Sequence, residues 1–580
     1  MTVRVQFDVT EPGTHLVRVT QTFPATDETP RTFRMAAWVP GSYKIRDFGR
    51  HVQNVTAEVE GKSKPVDQVG KDAWQVSGTA GKEVTLTFRV YCRELTVDTS
   101  HVTNDHAHLF PATLVLYDAA SRGLPHQATV KAPKGWRTYC GLESDAFDGQ
   151  LQAATDYDHL IDCPIEVAPT ADITDLRFTV RRKKHRIVLW HAPKDMDEAR
   201  IVKDVRAIVD ETAKLFGGLP YEHYTFIGHV AMEHGGGLEH RNSTVLGIDP
   251  LQLVVDEKIQ GNFLPLVAHE FFHTWNVKRI LPEAFQPYDL QREVYTELLW
   301  LFEGFTTYYE LPILARAGVI SEEAFAKFAA EMLQYYEMAL GRHHRSVGDC
   351  SRLTWSLLYQ NHEHNINRNV SYYTKGLWIG LCLDAHLRTH GVAEGLDVVM
   401  RELWKRHAEV GLPEDGFPDL VKEATGVDCT RLLGAWSRGT SELPIDKSLK
   451  ALGWDLKRGH KDPKNPIGLG VMFKAGSEII ERIPEDSPCF DVLQPDDELV
   501  AVEGYKWKGP RFAALANTRK EGDTVAMTVF REGRLRTFDV PLRTMAKDKI
   551  SLKPRKGDAA ATRRRKAWLG DLQAKKSKTA

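Results

Sequence analysis

Hydrophobic and polar residues alternate over most of the first 175 residues of the chain. Val84, Leu86, Phe88 and Val90, for example, are separated by polar side chains, and turns rich in Pro, Gly and Asp interrupt such runs. A period of two is typical of strands with one buried face. The pattern predicts an all-β N-terminal domain over residues 1–175, built like a sandwich.

A helical period replaces this alternation from about Asp197 to about Ser437. Apolar residues in this part of the chain recur every three or four positions. Residues 224–232 and 244–248 are an exception, because they are β-branched and apolar and flank a glycine-rich turn. Residues 176–456 are therefore predicted to form an α+β domain with a large helical portion.

The C-terminal part of the chain is predicted to hold a third domain and a tail. A polar stretch at residues 457–466 is typical of a linker, and short strands with tight turns follow it over the rest of residues 457–545. Residues 546–580 carry many Lys and Arg residues but few acids or large apolar side chains, which predicts a disordered basic tail. This tail is either a solvated end without function or a docking arm for RNA or acidic membranes.

Length and composition narrow the class of protein. A chain of 580 residues exceeds the size of a single core, and 42% hydrophobic and 27% charged residues are globular values. The net charge of -2 gives no bulk attraction to nucleic acid or anionic membranes. The seven scattered cysteines include no C-x-x-C pair, the N-terminus is patterned as a strand, and no long apolar run is present. These features predict a soluble, cytoplasmic protein with reduced thiols.

The strongest chemical signal is the string His269-Glu270-Phe271-Phe272-His273. Two imidazoles four residues apart lie on one face of a helix and can bind one zinc ion. The glutamate between them can reach a water molecule at the metal and accept its proton. His269 and His273 are therefore the predicted zinc ligands, and Glu270 is the predicted general base.

A catalytic zinc ion needs a third protein ligand. Glu303 interrupts the apolar run at residues 298–305, where an unpaired carboxylate would be costly. Glu297 is the rival ligand, and it lies nearly opposite Glu303 on a helical wheel, so that only one of them can face the metal. Glu310 shares the face of Glu303 and is a candidate for supporting the site by a hydrogen bond.

Four further segments accompany the histidine string, at residues 37–48, 236–240, 300–308 and 371–376. Together they resemble the glycyl aminopeptidase family of gluzincin metallopeptidases, whose members carry a PDZ domain near the C-terminus. The resemblance extends over nearly all of the chain up to about Arg543. It implies a multidomain α+β fold with an N-terminal β-domain, a thermolysin-like catalytic domain and a C-terminal PDZ domain. It also implies one catalytic zinc ion and selects Glu303 over Glu297 as its third ligand.

The resemblance also implies substrate-binding residues. In aminopeptidases of this kind an acid before the zinc helix holds the free α-amine of the substrate, and Glu239 in Gly236-Gly237-Leu238-Glu239 matches that position. Pairing of the ammonium with a carboxylate places the first peptide bond over the metal. Gly236 and Gly237 are predicted to belong to the same substrate-binding segment. Glu233 is the competing anchor.

Two more roles follow from the resemblance. Tyr373 matches the tyrosine of the family's Y-x-K-G motif, whose hydroxyl is expected to donate a hydrogen bond to the oxyanion, and neighbouring Tyr372 is the alternative. Residues 468–471 match the glycine-containing loop with which PDZ domains bind the C-terminal carboxylate of a peptide. The chain departs from the family at residues 494–496, where a glycine commonly precedes the aspartate.

The predicted activity is zinc-dependent removal of N-terminal residues from peptides, with glycine and alanine favoured by the resemblance alone. Two other functions are alternatives. An endopeptidase would hold its substrates through the PDZ domain and would also cut acetylated peptides. A PDZ scaffold with an inactive peptidase domain would have lost a ligand or the base, whereas all of these positions are filled in this chain.

Overall fold

The structure is a computed structural model that describes residues 1–143, 149–254, 257–460, 466–545 and 547–572. Two compact units make up the chain. The first comprises Met1–Val294, Ala317–Val319 and Leu403–Pro413, and the second comprises Tyr295–Arg316, Ile320–Glu402 and Glu414–Ala580. The predicted catalytic domain, residues 176–456, therefore contributes to both units.

The N-terminal part of the first unit is built from strands. They are β1 (Val3–Asp8), β2 (Leu16–Thr26), β3 (Arg31–Met35), β4 (Val52–Val59), β5 (Lys62–Lys64), β6 (Asp67–Gly70), β7 (Ala73–Val76), β8 (Lys82–Tyr91), β9 (His101–Thr103), β10 (His106–Leu109), β11 (Leu116–Tyr117), β12 (His126–Lys131), β13 (Trp136–Cys140) and β14 (Ile165–Pro169), with the short helix α1 (Tyr157–Ile161) before β14. Three sheets form, in the orders β12-β1-β2-β8-β4-β5, β11-β3-β7-β6 and β13-β14-β10-β9.

The alternation found in the sequence is the alternation of burial in these sheets. Along β8, Val84, Leu86, Phe88 and Val90 are all buried, and the polar residues between them are less so. One face of the strand thus packs into the core while the other stays nearer to solvent. The β-rich character predicted for the N-terminal domain is confirmed.

A five-stranded sheet with helices completes the first unit. Its elements are β15 (Ile173–Val180), β16 (Lys183–Trp190), α2 (Glu198–Phe216), β17 (His223–Val230), β18 (Gly237–Glu239), β19 (Ser243–Ile248), α3 (Leu251–Val254) and α4 (Glu257–Phe272). The strand order is β15-β16-β17-β19-β18, with β16, β17 and β19 parallel, so β18 is an edge strand.

The local sequence explains the ends of α2 but not the start of α4. The Asp197 side chain accepts a hydrogen bond from the Arg200 amide at the N-terminus of α2, and Gly217 ends the helix with φ +80°. Proline is usually found in the first turn of a helix, but α4 begins at Glu257 and Pro265 lies inside it.

The second unit is mainly helical. Its helices before the last domain are α5 (Leu299–Phe302), α6 (Gly304–Arg316), α7 (Glu322–Met338), α8 (Val347–Arg352), α9 (Tyr372–Thr389), α10 (Leu396–His407, whose end belongs to the first unit), α11 (Gly416–Thr425), α12 (Thr430–Ser437) and α13 (Ile445–Ala451). Short 3-10 turns occupy Pro12–Thr14, Phe48–His51, Pro111–Thr113, Thr170–Asp172, Glu283–Phe285, Leu340–His343 and Glu363–Asn367. Among the described residues, no helix has the length and apolar character that crossing a membrane requires.

Residues 466–545 form a small domain with a core of its own, which includes Leu469, Ile480, Phe512 and Val525. The elements of this part of the chain are β20 (Trp454–Gly459), β21 (Ile467–Gly468), β22 (Met472–Phe473), β23 (Ile480–Arg482), β24 (Glu498–Val502), β25 (Tyr505–Lys506), α14 (Gly509–Ala516), β26 (Thr524–Arg531), β27 (Arg534–Pro541), β28 (Arg543–Thr544), β29 (Lys549–Pro554) and α15 (Ala559–Leu569). A four-stranded sheet of order β25-β24-β26-β27 and two short strand pairs, β21-β28 and β22-β23, surround the core.

The chain returns from this small domain to the helices. Strand β29 pairs antiparallel with β20, and Gly459 lies opposite Lys549. The small domain is thus inserted between two paired strands. The boundary predicted at residue 457 falls inside β20.

The prediction of a disordered tail over residues 546–580 is wrong for its described part. After β29, Asp558 caps the N-terminus of helix α15, because its side chain accepts a hydrogen bond from the Ala561 amide. Trp568 is 1% exposed, and its indole N–H donates to the Tyr308 hydroxyl at 2.7 Å. Residues 573–580, which include Lys575, Lys576 and Lys578, lie outside the described residues.

Basic residues of α15 form contacts with other parts of the second unit. Arg564 donates to the Ala451 carbonyl at 2.7 Å, and the Arg565 guanidinium lies over the ring of Trp454. These contacts explain why a segment rich in cations is ordered. A few apolar anchors at its end supply the rest of the stabilisation.

Candidate active site

Helix α4 presents two histidines to one point. The Nε2 atoms of His269 and His273 are 3.0 Å apart, and the rings are nearly perpendicular. The Nδ1 of His273 donates to the Asn276 carbonyl at 2.6 Å, so that its Nε2 carries the lone pair. Two nitrogens bound tetrahedrally to one zinc ion at 2.0–2.1 Å would be about 3.3 Å apart. The pair therefore fits the donor geometry of a zinc site.

Glu270 lies between these histidines in sequence and packs against the edge strand β18. It is 4% exposed. A Cβ atom added at Gly237 would come within 2.2 Å of the Glu270 Oε1 atom. Only glycine leaves room for the carboxylate there, since such a separation is far inside van der Waals contact. The sequence suggested a substrate-binding role for Gly237, and the structure adds that this glycine makes room for Glu270.

Of the two candidate amine anchors, Glu239 is buried and Glu233 is exposed. Side-chain oxygens of Glu239 and Glu270 and a nitrogen of His273 all lie within 4.8 Å of one another. The Glu239 Oε1 atom has no hydrogen-bond partner among the described residues. Glu233 instead sits in a turn with φ +58°. Glu239 is thus the acid that lies beside the base.

The N-terminal β-structure reaches Glu239. A Cβ atom at Gly41, whose φ is +96°, would lie 2.7 Å from the Glu239 Oε1 atom. In the sequence, residues 37–48 contributed to the family resemblance but to no predicted site. The missed signal was the glycine itself, because a positive φ and a close approach both favour a residue without a side chain.

A cavity of about 510 Å³ lies next to this region of the first unit. Its walls include Pro40, which precedes Gly41, His240, which follows Glu239, and Tyr288. His240 is 1% exposed; its Nδ1 donates to Asp162 at 3.0 Å, and its Nε2 has no partner among the described residues. The wall is mixed, because charged residues such as Asp158, Arg241 and Lys278 line it beside apolar ones.

In the second unit, Glu303 lies at the junction of α5 and α6 and is 2% exposed. This junction crosses α9 at very short range. A Cβ atom at Gly376 would lie 2.2 Å from the Trp300 carbonyl oxygen, and one at Gly304 would lie 2.4 Å from the Gly376 Cα atom. The two glycines therefore allow the backbone beside Glu303 to touch the helix that carries Tyr373. Sequence analysis assigned no role to either glycine.

Glu297, the rival of Glu303, is engaged elsewhere in the second unit. Its Oε2 atom accepts a hydrogen bond from Arg438 Nε at 2.9 Å. Its amide donates to the Glu414 side chain. A carboxylate paired with a guanidinium at a partly exposed position has no need of a metal.

The two adjacent tyrosines of α9 differ in how deeply their side chains are buried. Tyr372 is fully buried, and its hydroxyl lies 3.0 Å from the Thr354 hydroxyl. Burial raises the pKa of Tyr372 well above the ordinary tyrosine value. Tyr373 is only partly buried. Lys375 of the same motif is 1% exposed, and burial lowers its pKa to about 8.

Comparison with known families adds to this geometry. Residues 4–169 match the family model of the peptidase M61 N-terminal domain, and residues 262–379 match that of the M61 glycyl aminopeptidase. The chain belongs to the M61 glycyl aminopeptidase family. The resemblance inferred from the sequence motifs is thereby confirmed, and with it the enzyme class: this M61 protein is a zinc peptidase.

Solved structures agree with the M61 assignment in fold. An aminopeptidase N family protein from Idiomarina loihiensis is 28% identical, with a TM-score of 0.92, and the match covers 98% of this chain and 100% of that chain. Yeast LTA4 hydrolase in complex with bestatin is 15% identical, with a TM-score of 0.50, over 77% of this chain and 68% of that chain. No curated protein sequence matches the chain. The fold of this M61 peptidase is therefore a multidomain α+β fold, with a β-rich N-terminal domain and a helical catalytic domain.

Proposed function

We propose that this M61 peptidase is an aminopeptidase in which His269, His273 and Glu303 hold one zinc ion. Glu270 acts as general base and Glu239 binds the substrate's α-amine. The observation that carries the proposal is the burial of Glu239 within 4.8 Å of the base. A second buried acid at that place suits a cationic group better than a neutral backbone.

The metal ligands are supported by chemistry in each unit. His269 and His273 aim their Nε2 atoms at one point. Glu303 is a buried acid within the family-matched residues 262–379, whereas Glu297 pairs with Arg438. Zinc held by two imidazoles and a carboxylate supplies Lewis acidity, which polarises the peptide carbonyl and makes a water molecule easy to deprotonate.

Glu270 moves the proton in this proposal. Its carboxylate accepts a proton from the attacking water, and the same group then delivers that proton to the leaving amine. Close packing of the carboxylate on Gly237 fixes its position. A base that is already held in the reactive orientation does not lose conformational entropy on reaching the transition state.

Glu239 sets the length of substrate that can be cut. An ammonium paired with this carboxylate can belong only to the first residue of a peptide. Internal peptide bonds carry no such charge and leave the Glu239 carboxylate buried without a partner, which is costly. Removal of single N-terminal residues follows, and an endopeptidase activity does not.

Tyr373 is proposed to donate its hydroxyl proton in a hydrogen bond to the oxyanion. The family's Y-x-K-G motif supports this role, and so does the commitment of the Tyr372 hydroxyl to Thr354. A donor aimed at the developing negative charge contributes about 2.7–4 kcal/mol in comparable oxyanion sites. Phenylalanine at position 373 would keep the ring and remove this donor.

A preference for glycine and alanine rests on the family description. The cavity beside His240 is larger than such side chains need. If that cavity admits the first side chain, larger residues will also be cut. A panel of Gly, Ala, Leu, Phe and Arg reporters measures the preference directly.

Blocked substrates test the proposed function. The protein should release the first residue of Ala-Ala-Phe and leave acetyl-Ala-Ala-Phe intact. Glu239→Gln should raise KM for the free peptide by at least tenfold, because the ammonium loses its counter-charge. Glu233→Gln is the matched control, since Glu233 is an exposed acid in the turn that precedes β18. Equal cleavage of the acetylated and free peptides would contradict the proposal and favour the endopeptidase.

The small domain at residues 466–545 is proposed to be a PDZ domain that binds C-terminal peptides. Within the described residues, β22 pairs with β23 alone, which leaves an edge free for strand addition. Gly468 ends β21, and the loop between β21 and β22 contains Gly470, which has φ +66°. Exposed amides in such a loop can bind a carboxylate.

The pairing of Gly459 with Lys549 makes this second proposal testable. Replacement of residues 460–548 by Asn-Gly should keep β20 and β29 paired through a two-residue turn. The shortened protein should still cut tripeptides but lose binding of a C-terminal peptide library in titrations. Equal peptide binding by the intact and shortened proteins would refute a PDZ ligand site.

A further inference from the structure

A second cluster of metal-binding side chains lies on strands of the first unit. Glu166 of β14 is fully buried, and so are His106 of β10 and His229 of β17. One nitrogen of each histidine and one oxygen of Glu166 all lie within 4.8 Å of one another. These three residues belong neither to α4 nor to the catalytic motifs.

Each histidine faces the carboxylate directly. His229 Nε2 is 3.2 Å from Glu166 Oε2, and His106 Nε2 contacts Glu166 Oε1. Nitrogen and oxygen ligands of one tetrahedral zinc ion would be about 3.3 Å apart. Two imidazoles and one glutamate are also the ligand set of the catalytic zinc in thermolysin-type enzymes.

Within the part of the chain that the structure describes, no lysine or arginine pairs with the Glu166 carboxylate. Its side-chain partners there are the imidazoles of His106, His108 and His229. An ionised carboxylate that is fully buried without a cation costs several kcal/mol. By contrast Glu143, the other fully buried glutamate of this unit, pairs with the guanidinium of Arg186. A divalent cation would supply the missing positive charge.

Neighbouring side chains contact the residues of this cluster and fix their orientation. His108 Nδ1 is 3.1 Å from Glu166 Oε2, and His101 Nδ1 is 3.1 Å from His106 Nδ1. The His106 ring also stacks on Trp190 at 3.9 Å. Metal-binding histidines and carboxylates usually have such outer partners, which fix the orientation of the ligands. The arrangement is that of a built site.

We propose that His106, Glu166 and His229 hold a second divalent transition-metal ion of the zinc class. It lies where β10 and β14 of one sheet meet β17 of the five-stranded sheet. Because ligands from both sheets bind it, the ion joins the N-terminal β-structure to the sheet that carries the catalytic edge strand. Its role is to stabilise this junction, since a ligand bound only by the folded protein raises its stability.

Metal counting on the full chain tests the proposal. The protein is dialysed against micromolar Zn²⁺, and zinc per chain is measured by mass spectrometry. The native protein should hold two ions. The double variant His269→Ala/His273→Ala removes the imidazoles of α4 and should still hold one. Glu166→Gln or His229→Gln in that background should hold none.

Controls separate a metal site from a hydrogen-bond network. His126→Gln changes another fully buried histidine, one whose Nδ1 donates to the Leu124 carbonyl, and should leave the count unchanged. Chelation should also lower the melting temperature of the double variant, which has no catalytic zinc. A double variant that folds, binds no Zn²⁺ and melts at the same temperature with and without chelator would overturn the proposal, and the imidazoles would then serve as hydrogen-bond donors to Glu166.

Discussion

The Nε2 atoms of His269 and His273 lie 3.0 Å apart, His269 in the last turn of α4 and His273 directly after it. Because the two lone pairs converge, His273→Ala should abolish binding of the catalytic zinc. Glu270→Gln should keep that zinc and lower kcat by about 10²–10⁴, the usual contribution of a general base. Zinc content and kcat, measured on the same samples, check both outcomes. Zinc loss in Glu270→Gln would show that Glu270 is a ligand instead of a base.

Gly237→Ala should disable the base without unfolding the protein. The added methyl group would meet the Glu270 carboxylate at 2.2 Å and displace it. A displacement of about 1 Å can cost about 10² in rate. Gly235→Ala is the matched control, because a Cβ atom there meets nothing within 4 Å. Equal kcat values for the two variants would show that the contact with Gly237 does not position Glu270.

Gly376→Ala should destabilise the second unit by about 1–3 kcal/mol, the usual cost of overpacking. The methyl group would press on the Trp300 carbonyl at 2.2 Å and push α9 away from the junction that carries Glu303. Gly434→Ala in α12 is the control, since it meets no neighbour within 4 Å and should be neutral or stabilising. Urea unfolding of both variants measures the difference. A neutral Gly376→Ala would mean that the two backbones do not touch.

Lys375→Met should stabilise the protein at pH 7. Burial lowers the Lys375 pKa from 10.5 to about 8, so the unfolded chain binds more protons than the native protein between these values. The native protein therefore gains stability as the pH rises from 8 to 10.5. At pH 7 the charged amine costs up to about 3 kcal/mol, at 1.36 kcal/mol for each pKa unit. The advantage of Lys375→Met in urea unfolding should shrink above pH 8, and a constant advantage would refute the role of the charge.

Helix α15 should contribute to the stability of the second unit. Trp568→Ala should lower the free energy of unfolding by about 3–5 kcal/mol, as expected for a buried tryptophan. The indole packs on α6 and donates to Tyr308. Trp568→Phe should recover part of this loss, because it restores the apolar ring but not the hydrogen bond. Similar melting temperatures for Trp568→Ala and the full chain would contradict a packed helix.

Local patterns in the sequence were sufficient for the parts of the site that lie on one element. His269, Glu270 and His273 are separated by fixed helical spacing, and period-two alternation located the N-terminal strands. The choice between Glu303 and Glu297 needed the family resemblance. The structure supplies a physical reason against Glu297, its pairing with Arg438, which is 141 residues away in sequence.

Contacts between distant segments were not predictable from periodicity. The packing of sheets and helices brings Gly237 to Glu270, and it brings His106 and His229 to Glu166. Neither composition nor periodicity predicts this packing. The tail was mispredicted for a related reason. A segment with few apolar residues is usually disordered, but in this segment Trp568 packs against α6 and donates a hydrogen bond to Tyr308.

The pairing of β20 with β29 has a consequence for biosynthesis. Strand β20 and helix α6 are translated long before their partners β29 and Trp568. While the ribosome is still making residues 460–548, β20 has no strand paired with it. The surface of α6 that contacts Trp568 is also uncovered. Both surfaces are covered only after β29 and α15 have been translated. A prematurely terminated product would therefore expose them to chaperones and proteases.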